Sequence, residues 1–423
     1  MSLSHNWENL VYQHGKLIQT LRLFPELDNI KIANKVDISS PTLYKAFYEL
    51  KEHNILNADN RINLNFGTFV GISIGSSLCK VVLLHFDFSV YTEQEFDCYK
   101  KEIINSLKKC DSTLSLPIEK YKNYVYFNTP NDFAKLKQYL DCIFDSLAMF
   151  IDNGILDILS IGISSTGTVD EKNNAIYQSH NLEYLNGRKL NDLLFLDRIN
   201  FFKNHGVSVH LVQNCNAAVI AEKFKLCEIN NELRPKNNNI AALYLEYGMG
   251  AGFVINGKLY SGNGYAGEIG HIPAPLTLLE LLDLSNTNNL KNCTCGAKYC
   301  IDHIMRSYVF DSLPDFKSMD SESIHIYLKE RPQQSKYLGK IIGYITNLFS
   351  AVLNIDLVIF TGKLYKCIPD IYKYIEETLD ENTLTYNRTD CNIITSKIGT
   401  LAPAIGAAIY SYYKKCNIEL DWL

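Results

Sequence analysis

One histidine and three cysteines are the residues of this chain whose types and spacing most clearly indicate chemistry. They are His271, Cys293, Cys295 and Cys300. Three thiolates and one imidazole complete the tetrahedral shell of a structural Zn²⁺ and leave no open position for a catalytic water. We therefore expect a Zn²⁺ ion that holds a loop in place, and the same loop carries Glu268 and Asp302.

The bulk composition is that of a globular protein with two or three domains. The 423 residues are 47% hydrophobic and 21% charged, which supplies enough apolar side chain to form a core. The net charge of −5 gives no overall basic field that would attract nucleic acid. The apolar stretch 341–360 is interrupted by polar residues, which is typical of a buried helix and strand rather than a membrane span.

The chain is expected to reside in the cytoplasm. Its first ten residues lack a basic stretch followed by an apolar run, so they do not resemble a signal peptide. Of the 12 cysteines, those outside the cluster are scattered singly along the chain. This usage is typical of reduced thiols in a cytoplasmic protein.

Residues 1–66 predict a winged helix-turn-helix domain. Apolar residues from Leu10 to Leu23 recur at helical spacing and indicate a first helix. Asp28 is a candidate N-cap for a second helix over residues 29–36. A third helix follows after a tight turn.

The third predicted helix, residues 40–53, is expected to lie in the major groove of DNA. Ser40 is its candidate N-cap, and Pro41 occupies its first position. Residues 55–66 are expected to form two short strands, the wing. Outward residues near the N-terminal end of the helix are the candidate DNA contacts: Ser40, Thr42, Tyr44 and Lys45.

The charge of this segment limits its attraction to DNA. Residues 1–66 contain seven Lys or Arg and seven Asp or Glu, a balance of zero. A single copy is therefore expected to bind weakly, and a dimer that reads two half-sites is expected to supply useful affinity. The alternative interpretation is a three-helix bundle that serves only packing.

After Phe66 the pattern changes to strands that alternate with helices. Buried strands are predicted near residues 69–75, 158–164, 240–246 and 357–360, and several of them end in glycine turns. Such an alternation indicates an α/β architecture whose strand ends form ligand-sized clefts.

Five segments of the chain resemble the ROK family of repressors, open reading frames and kinases, in particular its branch of xylose and N-acetylglucosamine repressors. The segments are the glycine loop 248–262, residues 266–271, the cysteine segment 293–300, and residues 356–362 and 398–408. The resemblance implies a two-lobed sugar kinase, hexokinase and actin-like fold behind the winged helix-turn-helix. It also implies operator DNA, a sugar or sugar-phosphate effector and a homodimer or dimer of dimers as partners.

Two departures from the family's kinases indicate that the chain does not catalyse phosphoryl transfer. The resemblance places Ser73 where the kinases carry the aspartate that manages Mg²⁺ and phosphates. It places Asn214 where they carry the catalytic aspartate, or Cys215 if the alignment shifts by one residue. A sugar hydroxyl needs a carboxylate to accept its proton, and an amide cannot do this at neutral pH.

Ligand binding is expected to survive these departures. The resemblance implies five sugar-binding residues: Gly167, Asn214, Glu268, His271 and Asp302. At position 302 the carboxylate is one methylene shorter than the family's glutamate, and Thr166 replaces the proline of the family's turn. The amide of Asn214 can still exchange hydrogen bonds with a sugar hydroxyl.

We expect three domains: residues 1–66 as the winged helix-turn-helix, residues 67–190 with helix 396–423 as the first lobe, and residues 191–395 as the second lobe with the zinc loop and a dimerisation surface. Within the second lobe, residues 276–292 are expected to form a short helix over the site or in a subunit contact.

The most consistent function is a sugar-responsive transcriptional regulator, a repressor of carbohydrate genes, in which sugar binding changes the lobe angle and the spacing of two DNA-binding heads. Two alternatives remain open: an active ATP-dependent sugar kinase with an added N-terminal domain, and a regulator that answers to a protein partner.

Overall fold

The computed structural model describes residues 7–114, 123–229, 239–282, 293, 295–296, 299–310, 313, 316, 319–382 and 391–419. Its contacts group the chain into two compact units. The first unit contains Met1–Arg234 and Pro403–Leu423, and the second contains Pro235–Ala402. Among the described residues, no helix is both long and apolar enough to cross a bilayer.

Four helices begin the first unit. They are α1 (Trp7–Gln13), α2 (Gly15–Leu23), α3 (Asn29–Val36) and α4 (Ser40–Glu52). The predicted first helix is two helices, because the chain leaves helical geometry at His14. The aliphatic residues that define this spacing are nevertheless buried, as predicted: Leu10, Leu17, Ile18, Leu21 and Leu23.

The caps of α3 and α4 explain where these helices begin. Asp28 accepts a hydrogen bond from the Lys31 backbone N–H, as the sequence predicts. The N-cap of α4 is Ser39, and the prediction of Ser40 was wrong by one residue. Ser39 has the extended backbone of a cap and accepts from the Thr42 N–H, whereas Ser40 is already helical.

The wing is smaller than predicted. Leu56 and Ile62 form one antiparallel bridge, and Asn57 N donates to Arg61 O at 2.8 Å. Two strands do not form here, because the ladder ends where a short helical turn, Leu64–Phe66, begins.

The first unit is built on a five-stranded mixed sheet. Its strands and a separate hairpin are β1 (Thr68–Ile74), β2 (Leu78–Leu84), β3 (Val125–Asn128), β4 (Ile158–Ser165), the hairpin β5 (Thr168–Asp170) and β6 (Ala175–Gln178), and β7 (Ser208–Gln213). The sheet order is β3-β2-β1-β4-β7, and β4 and β7 run parallel to their neighbours. The helices are α5 (Glu93–Cys110), α6 (Phe133–Asp152), α7 (Leu190–Leu193), α8 (Leu196–Asn204) and α9 (Asn214–Ile229).

The second unit contains another five-stranded mixed sheet. Its strands are β8 (Ile240–Leu245), β9 (Met249–Ile255), β10 (Lys258–Tyr260), β11 (Leu357–Gly362) and β12 (Asn392–Thr395), in the order β10-β9-β8-β11-β12. Its helices are α10 (Leu276–Leu281), α11 (Ile301–Ile304), α12 (Ser321–Lys329), α13 (Pro332–Leu353) and α14 (Ile368–Asn382). The predicted insert begins as a helix at α10, and residues 283–292 lie outside the described residues.

The last helix, α15 (Ala402–Lys415), returns to the first unit and packs against its sheet. A side chain at Gly71 of β1 would lie 2.0 Å from the Ala404 carbonyl oxygen, and one at Gly162 of β4 would lie 1.8 Å from that of Ala407. Glycine at both positions therefore permits the helix backbone to touch the sheet. The opposite face of β1, including Val70 and Ile72, belongs to the core that α5 and α6 complete.

The boundary between the units lies later in the chain than the predicted lobe boundaries at residues 190 and 395. Strand β7 pairs with β4 in the first sheet, so residues 191–234 group with the first unit. Strand β12 pairs with β11 in the second sheet, and residues up to Ala402 group with the second unit.

Candidate functional sites

The four predicted metal ligands come together in the second unit. One ligand atom from each of His271, Cys293, Cys295 and Cys300 lies within 4.8 Å of every other. The Sγ atoms of Cys295 and Cys300 are 3.3 Å apart, and Cys293 Sγ lies 3.7 Å from His271 Nδ1. Tetrahedral Zn²⁺ with Zn–S bonds of about 2.3 Å would place sulfur atoms about 3.8 Å apart, so the donor set fits this ion.

Backbone pairing holds the two segments of this cluster together. The bonds are Ala274 N to Tyr299 O at 2.7 Å and Ile301 N to Ile272 O at 3.0 Å. They place Cys300, which is fully buried, beside the segment that begins at His271. Cys300 then caps α11, so the first turn of that helix starts at the cluster.

Without a cation, the cluster favours protonated thiols. Burial and the neighbouring thiols raise the pKa of the Cys300 thiol above its ordinary value. A bound Zn²⁺ would reverse this shift, because a coordinating thiol is deprotonated by the ion. The sequence analysis predicts His271 both as a metal ligand and as a sugar-binding residue. Because its Nδ1 faces Cys293, a hydrogen bond to a sugar would have to use Nε2.

Asp302 forms a buried ion pair that the sequence analysis missed. Its side chain is 2% exposed, and Oδ2 pairs with the guanidinium of Arg306, one turn further along the chain. Burial raises the pKa of Asp302 to about 6, although Arg306 opposes the shift. Among the described residues, Oδ1 of Asp302 has no hydrogen-bond partner, so it is a candidate acceptor for a ligand hydroxyl. The i, i+4 spacing of the pair was the available sequence signal.

Glu268 follows a glycine whose geometry fixes the loop against the sheet. Gly267 has a φ of +94°, and a Cβ there would lie 1.8 Å from the carbonyl oxygen of Ala251 in β9. Ala251 N in turn donates to Gly267 O at 2.8 Å. These contacts hold Gly267 against β9 and so fix the position of the next residue, the half-buried Glu268.

The carboxyl ends of three strands form a polar edge in the first unit. Ser73 of β1 is in register with Ser164 of β4, and Ser165 of β4 is in register with Gln213 of β7. Ser73 is buried, and Ser164 Oγ has no hydrogen-bond partner among the described residues. This edge presents hydroxyl and amide groups, and its correspondence to the carboxylates of the family's kinases stays a prediction from the sequence.

Asn214 and the turn at Gly167 meet at one backbone carbonyl. The Nδ2 of Asn214 donates to Ile74 O at 3.3 Å, and the Thr166 N–H donates to the same oxygen at 3.2 Å. Asn214 is buried, and its Oδ1 has no partner within the described part of the chain. Gly167 has a φ of +81°, and a Cβ there would lie 2.1 Å from Gln178 O, so the turn requires glycine.

The five predicted sugar-binding residues therefore fall into two groups. Gly167 and Asn214 belong to the first unit, whereas Glu268, His271 and Asp302 belong to the second. Each group contains one buried acceptor atom without a partner among the described residues, Asn214 Oδ1 in the first and Asp302 Oδ1 in the second. Their use as one ligand set stays a prediction.

A second polar cluster of the first unit was not predicted. The Tyr410 hydroxyl of α15 donates to Glu171 Oε2 at 2.9 Å, and Asn216 Nδ2 donates to Glu171 Oε1 at 3.4 Å. Burial raises the pKa of Glu171. On β7, burial and then the charge of Lys414 lower the pKa of His210 to about 4. The alternation of polar residues within otherwise apolar strands was too weak a signal to find this cluster.

All four predicted DNA contacts lie on the exposed face of α4: Ser40, Thr42, Tyr44 and Lys45. The opposite face, with Leu43, Phe47 and Leu50, is buried as predicted. Three of these side chains have local partners, and the Tyr44 hydroxyl accepts from Asn29 Nδ2 at 3.3 Å. Thr42 Oγ1 lies 2.8 Å from Ser39 Oγ, and Lys45 Nζ lies 3.9 Å from Glu49 Oε1.

Comparison with known proteins places this architecture in a family. The model of the ROK family matches residues 120–412. An N-acetyl-D-glucosamine kinase of Haemophilus influenzae is 33% identical over 119 residues, which are 28% of this chain and 38% of that protein. A xylose repressor of Staphylococcus xylosus is 23% identical over 279 residues, which are 62% of this chain and 59% of that protein. The chain thus spans 38% and 59% of the lengths of these relatives.

Solved structures share the fold. A ROK family transcriptional regulator, described as a homolog of the Escherichia coli MLC protein, has a TM-score of 0.65 at 15% identity, over 97% of this chain and 98% of that chain. A ROK family glucokinase from Streptomyces griseus in complex with glucose and AMPPNP has a TM-score of 0.56 at 16% identity, over 82% and 99%. An N-terminal helix-turn-helix followed by a sugar kinase-like fold is common to this chain and the regulator. With a family match over more than half of its length, the chain belongs to the ROK family.

Proposed function

We propose that this chain is a sugar-responsive transcriptional regulator, a repressor of carbohydrate genes, whose kinase-like body binds ligand without catalysis. The observation that carries the proposal is the pair Ser73 and Asn214 at the strand ends. Both side chains are buried, and neither supplies a carboxylate. Neither a serine hydroxyl nor a carboxamide can accept the proton of a sugar hydroxyl during transfer at neutral pH.

The position of Asn214 argues further against a hidden catalytic role. Its amide donates to the Ile74 carbonyl, so the nitrogen is engaged in holding β1 beside α9. Its second N–H and Oδ1 can still donate and accept hydrogen bonds, but an amide does not take up a proton at neutral pH. This geometry supports recognition of a hydroxyl group and does not support its activation.

The ligand we propose is a sugar or sugar phosphate bound by Gly167, Asn214, Glu268, His271 and Asp302. Unpaired buried acceptors such as Asn214 Oδ1 and Asp302 Oδ1 match the donor hydroxyls of a sugar. The names of several relatives refer to sugars, among them the N-acetyl-D-glucosamine kinases and the xylose repressor.

For the metal, we propose a structural Zn²⁺ held by His271, Cys293, Cys295 and Cys300. The four side chains use every tetrahedral position, so the ion would order the loop and supply no open site for substrate. Glu268 lies three residues before His271, and Asp302 lies on α11 two residues after Cys300, not in the loop where the sequence predicted it. Because both are so close to the cluster, metal loss is expected to disturb ligand binding as well.

For the partner, we propose operator DNA bound by α4 of two copies in the cytoplasm. Two arguments support it: the helix-turn-helix formed by α3 and α4, and the likeness to a ROK transcriptional regulator over 97% of the chain. Lys45 is exposed and lies beside Glu49, so one copy offers few charges to phosphates. A dimer, or a dimer of dimers, would double the contacts.

A coupled assay tests the absence of catalysis. Purified chain is mixed with ATP, Mg²⁺ and D-glucose, D-xylose or N-acetyl-D-glucosamine, and ADP release is followed. We expect no release above that of an enzyme-free blank. Sugar-dependent ADP release at turnovers of about 1 s⁻¹ or more, which is ordinary for an enzyme, would overturn the proposal and favour the kinase alternative that the kinase relatives represent. A thermal-shift screen with the same sugars checks binding, because a ligand of the native state raises the melting temperature.

A further inference from the structure

Two tyrosines form a stripe along the exposed face of α4. Tyr44 is 57% exposed and Tyr48 is 65% exposed, while Leu43 before them and Phe47 between them are buried. Residues four apart lie on the same side of a helix, about 6 Å apart along its axis. The stripe is the largest apolar feature of the face that we propose enters the major groove.

The first ring of the stripe is held in place by the protein. Asn29 Nδ2, from the first residue of α3, donates to the Tyr44 hydroxyl at 3.3 Å. The Tyr44 ring also stands edge-on to the buried Phe47, with ring centres 6.4 Å apart at an angle of 83°. A ring that is already oriented loses little freedom when it meets a partner. In the part of the chain that the structure describes, Tyr48 makes no side-chain hydrogen bond or ring contact of this kind.

The cations near this face offer weak attraction to phosphates. Residues 1–66 carry equal numbers of basic and acidic side chains. Three of the basic groups lie beside a carboxylate: Lys31 with Asp28 at 3.4 Å, Lys45 with Glu49 at 3.9 Å, and Arg61 with Asp59 at 3.6 Å. Phosphate neutralisation normally supplies most of the affinity of a DNA-binding protein. Contacts to base edges must therefore contribute an unusual share here.

The chemistry of the stripe selects one base. In the major groove, guanine, adenine and cytosine are read by hydrogen bonds, whereas thymine also presents an apolar C5-methyl group. A tyrosine ring offers an apolar surface to that methyl group and cannot form the bidentate bonds that arginine or asparagine makes with a purine. We propose that Tyr44 and Tyr48 read thymine methyl groups, so that the operator of this protein contains thymines in each half-site.

The spacing of the rings sets the spacing of the thymines. A separation of about 6 Å along the helix spans about two base-pair steps of 3.4 Å. Each half-site should therefore contain two methyl-sensitive positions about two base pairs apart. This inference rests on the proposed function, because it assumes that α4 lies in the major groove.

Uracil-substituted DNA tests the inference directly. The DNA upstream of this protein's own gene is amplified with dTTP or with dUTP, which removes only the C5-methyl groups and keeps base pairing. The full-length chain is titrated against both fragments and against random-sequence DNA made with each nucleotide. Each lost methyl contact should weaken binding about fourfold, so the uracil fragment should bind at least about tenfold more weakly.

Three variants assign the effect to the stripe. The double variant Tyr44→Ala and Tyr48→Ala should bind both fragments equally, with an affinity near that of the wild-type chain for uracil DNA. Tyr48→Phe keeps the ring and should keep the preference for thymine. The control is Tyr12→Ala on α1, which removes an equally exposed tyrosine outside α4 and should also keep the preference.

The outcomes separate this inference from the proposed function. If the upstream DNA binds more tightly than random DNA but equally well with thymine and with uracil, the proposal that the tyrosines contact methyl groups is wrong. The proposed function as a regulator would then still stand. A preference for thymine DNA that survives the double tyrosine variant would also overturn the proposed contact with methyl groups. Binding of the upstream DNA no tighter than random DNA would overturn both proposals.

Discussion

The Asn214 side chain donates a hydrogen bond from Nδ2 to the Ile74 carbonyl oxygen, which joins the start of α9 to the end of β1. Both residues lie at the carboxyl edge of the first sheet, where β1 ends at Ile74 and β7 ends just before Asn214. The bond needs a donor, and an aspartate has none. Restoring the kinase residue at this position therefore removes a structural contact of the present protein.

The Asn214→Asp variant should lose stability and gain no kinase activity. The carboxylate would face the Ile74 carbonyl in a buried position, and the cost should be at least about 1–3 kcal/mol of unfolding free energy. Urea unfolding measures it. Asn153→Asp is the matched control: Asn153 Nδ2 also donates to a carbonyl, that of Met149 at 3.0 Å, but the bond is exposed and its loss should cost less than about 0.5 kcal/mol. Equal costs for both variants would contradict this account.

Metal content tests the cysteine cluster. The wild-type chain prepared without chelators should contain about one Zn²⁺, and Cys295→Ser should contain none and melt at a lower temperature, because ion binding adds to folding stability. Elemental analysis and calorimetry give the two readouts. Cys98→Ser, which removes an exposed thiol outside the cluster, should keep the metal. Wild-type protein without zinc would show that the cluster is not a metal site.

Arg22 should stabilise the first unit mainly through its contacts with aromatic rings. It is 5% exposed, and its guanidinium lies 4.6, 4.0 and 4.3 Å from the rings of Phe86, Phe88 and Tyr412. Arg22→Ala should lower the free energy of unfolding by about 2–5 kcal/mol, the range for replacing a large buried side chain by alanine. Arg22→Met fills the same space without a buried charge and should cost less than half of that.

The control for this prediction is an exposed stack of the same kind. Arg331 lies 3.9 Å from the Tyr327 ring, but its side chain is over a third exposed. Arg331→Ala should therefore cost less than about 1 kcal/mol in the same unfolding measurement. If Arg22→Met is as damaging as Arg22→Ala, the charge or the buried hydrogen bond from Arg22 Nε to the Phe86 carbonyl at 3.0 Å, rather than the packing, is what stabilises the site.

His210 should make the first unit less stable in acid. Its pKa is lowered to about 4 by burial and by Lys414, so the unfolded chain, with an ordinary value near 6.5, binds the proton more readily. Stability should be complete above about pH 6.5 and fall as the pH drops toward 4, by up to about 3 kcal/mol. His210→Gln should flatten this part of the pH profile, whereas replacing the exposed His205 should not. An unchanged slope in the His210 variant would refute the prediction.

The sequence predicted the elements better than their limits. The spacing of Leu43, Phe47 and Leu50 predicted the buried face of α4, because helical periodicity is a local property. The N-cap of that helix was misplaced by one residue, since Ser39 and Ser40 are chemically equivalent and only the backbone angles distinguish them. Two strands were predicted for the wing, but only one bridge forms, because strand pairing depends on the geometry of a turn that the sequence pattern describes poorly.

The candidate sites were predicted where residue types are specific and missed where contacts are distant. Cysteine and histidine spacing predicted the cluster of His271, Cys293, Cys295 and Cys300, whose ligand atoms lie within 4.8 Å of one another. The bond from Asn214 to Ile74 joins residues 140 positions apart, and the packing of Arg22 on Tyr412 joins the two ends of the chain. Such long-range contacts leave no periodic signal in a single sequence, and the same is true of the place of β7 in the first sheet.

The most direct test of the central claim is an equilibrium titration of the full-length chain with the DNA upstream of its own gene and with random DNA. The upstream DNA should bind about 10³-fold tighter or more, and one of D-glucose, D-xylose and N-acetyl-D-glucosamine should change that affinity about fivefold or more. Lys45→Ala should weaken the specific binding. Point changes on α4 are preferable to truncation, because Trp7 and Arg22 pack against the body. Equal affinity for the two DNAs, unchanged by Lys45→Ala, would contradict the account of this protein as a transcriptional regulator.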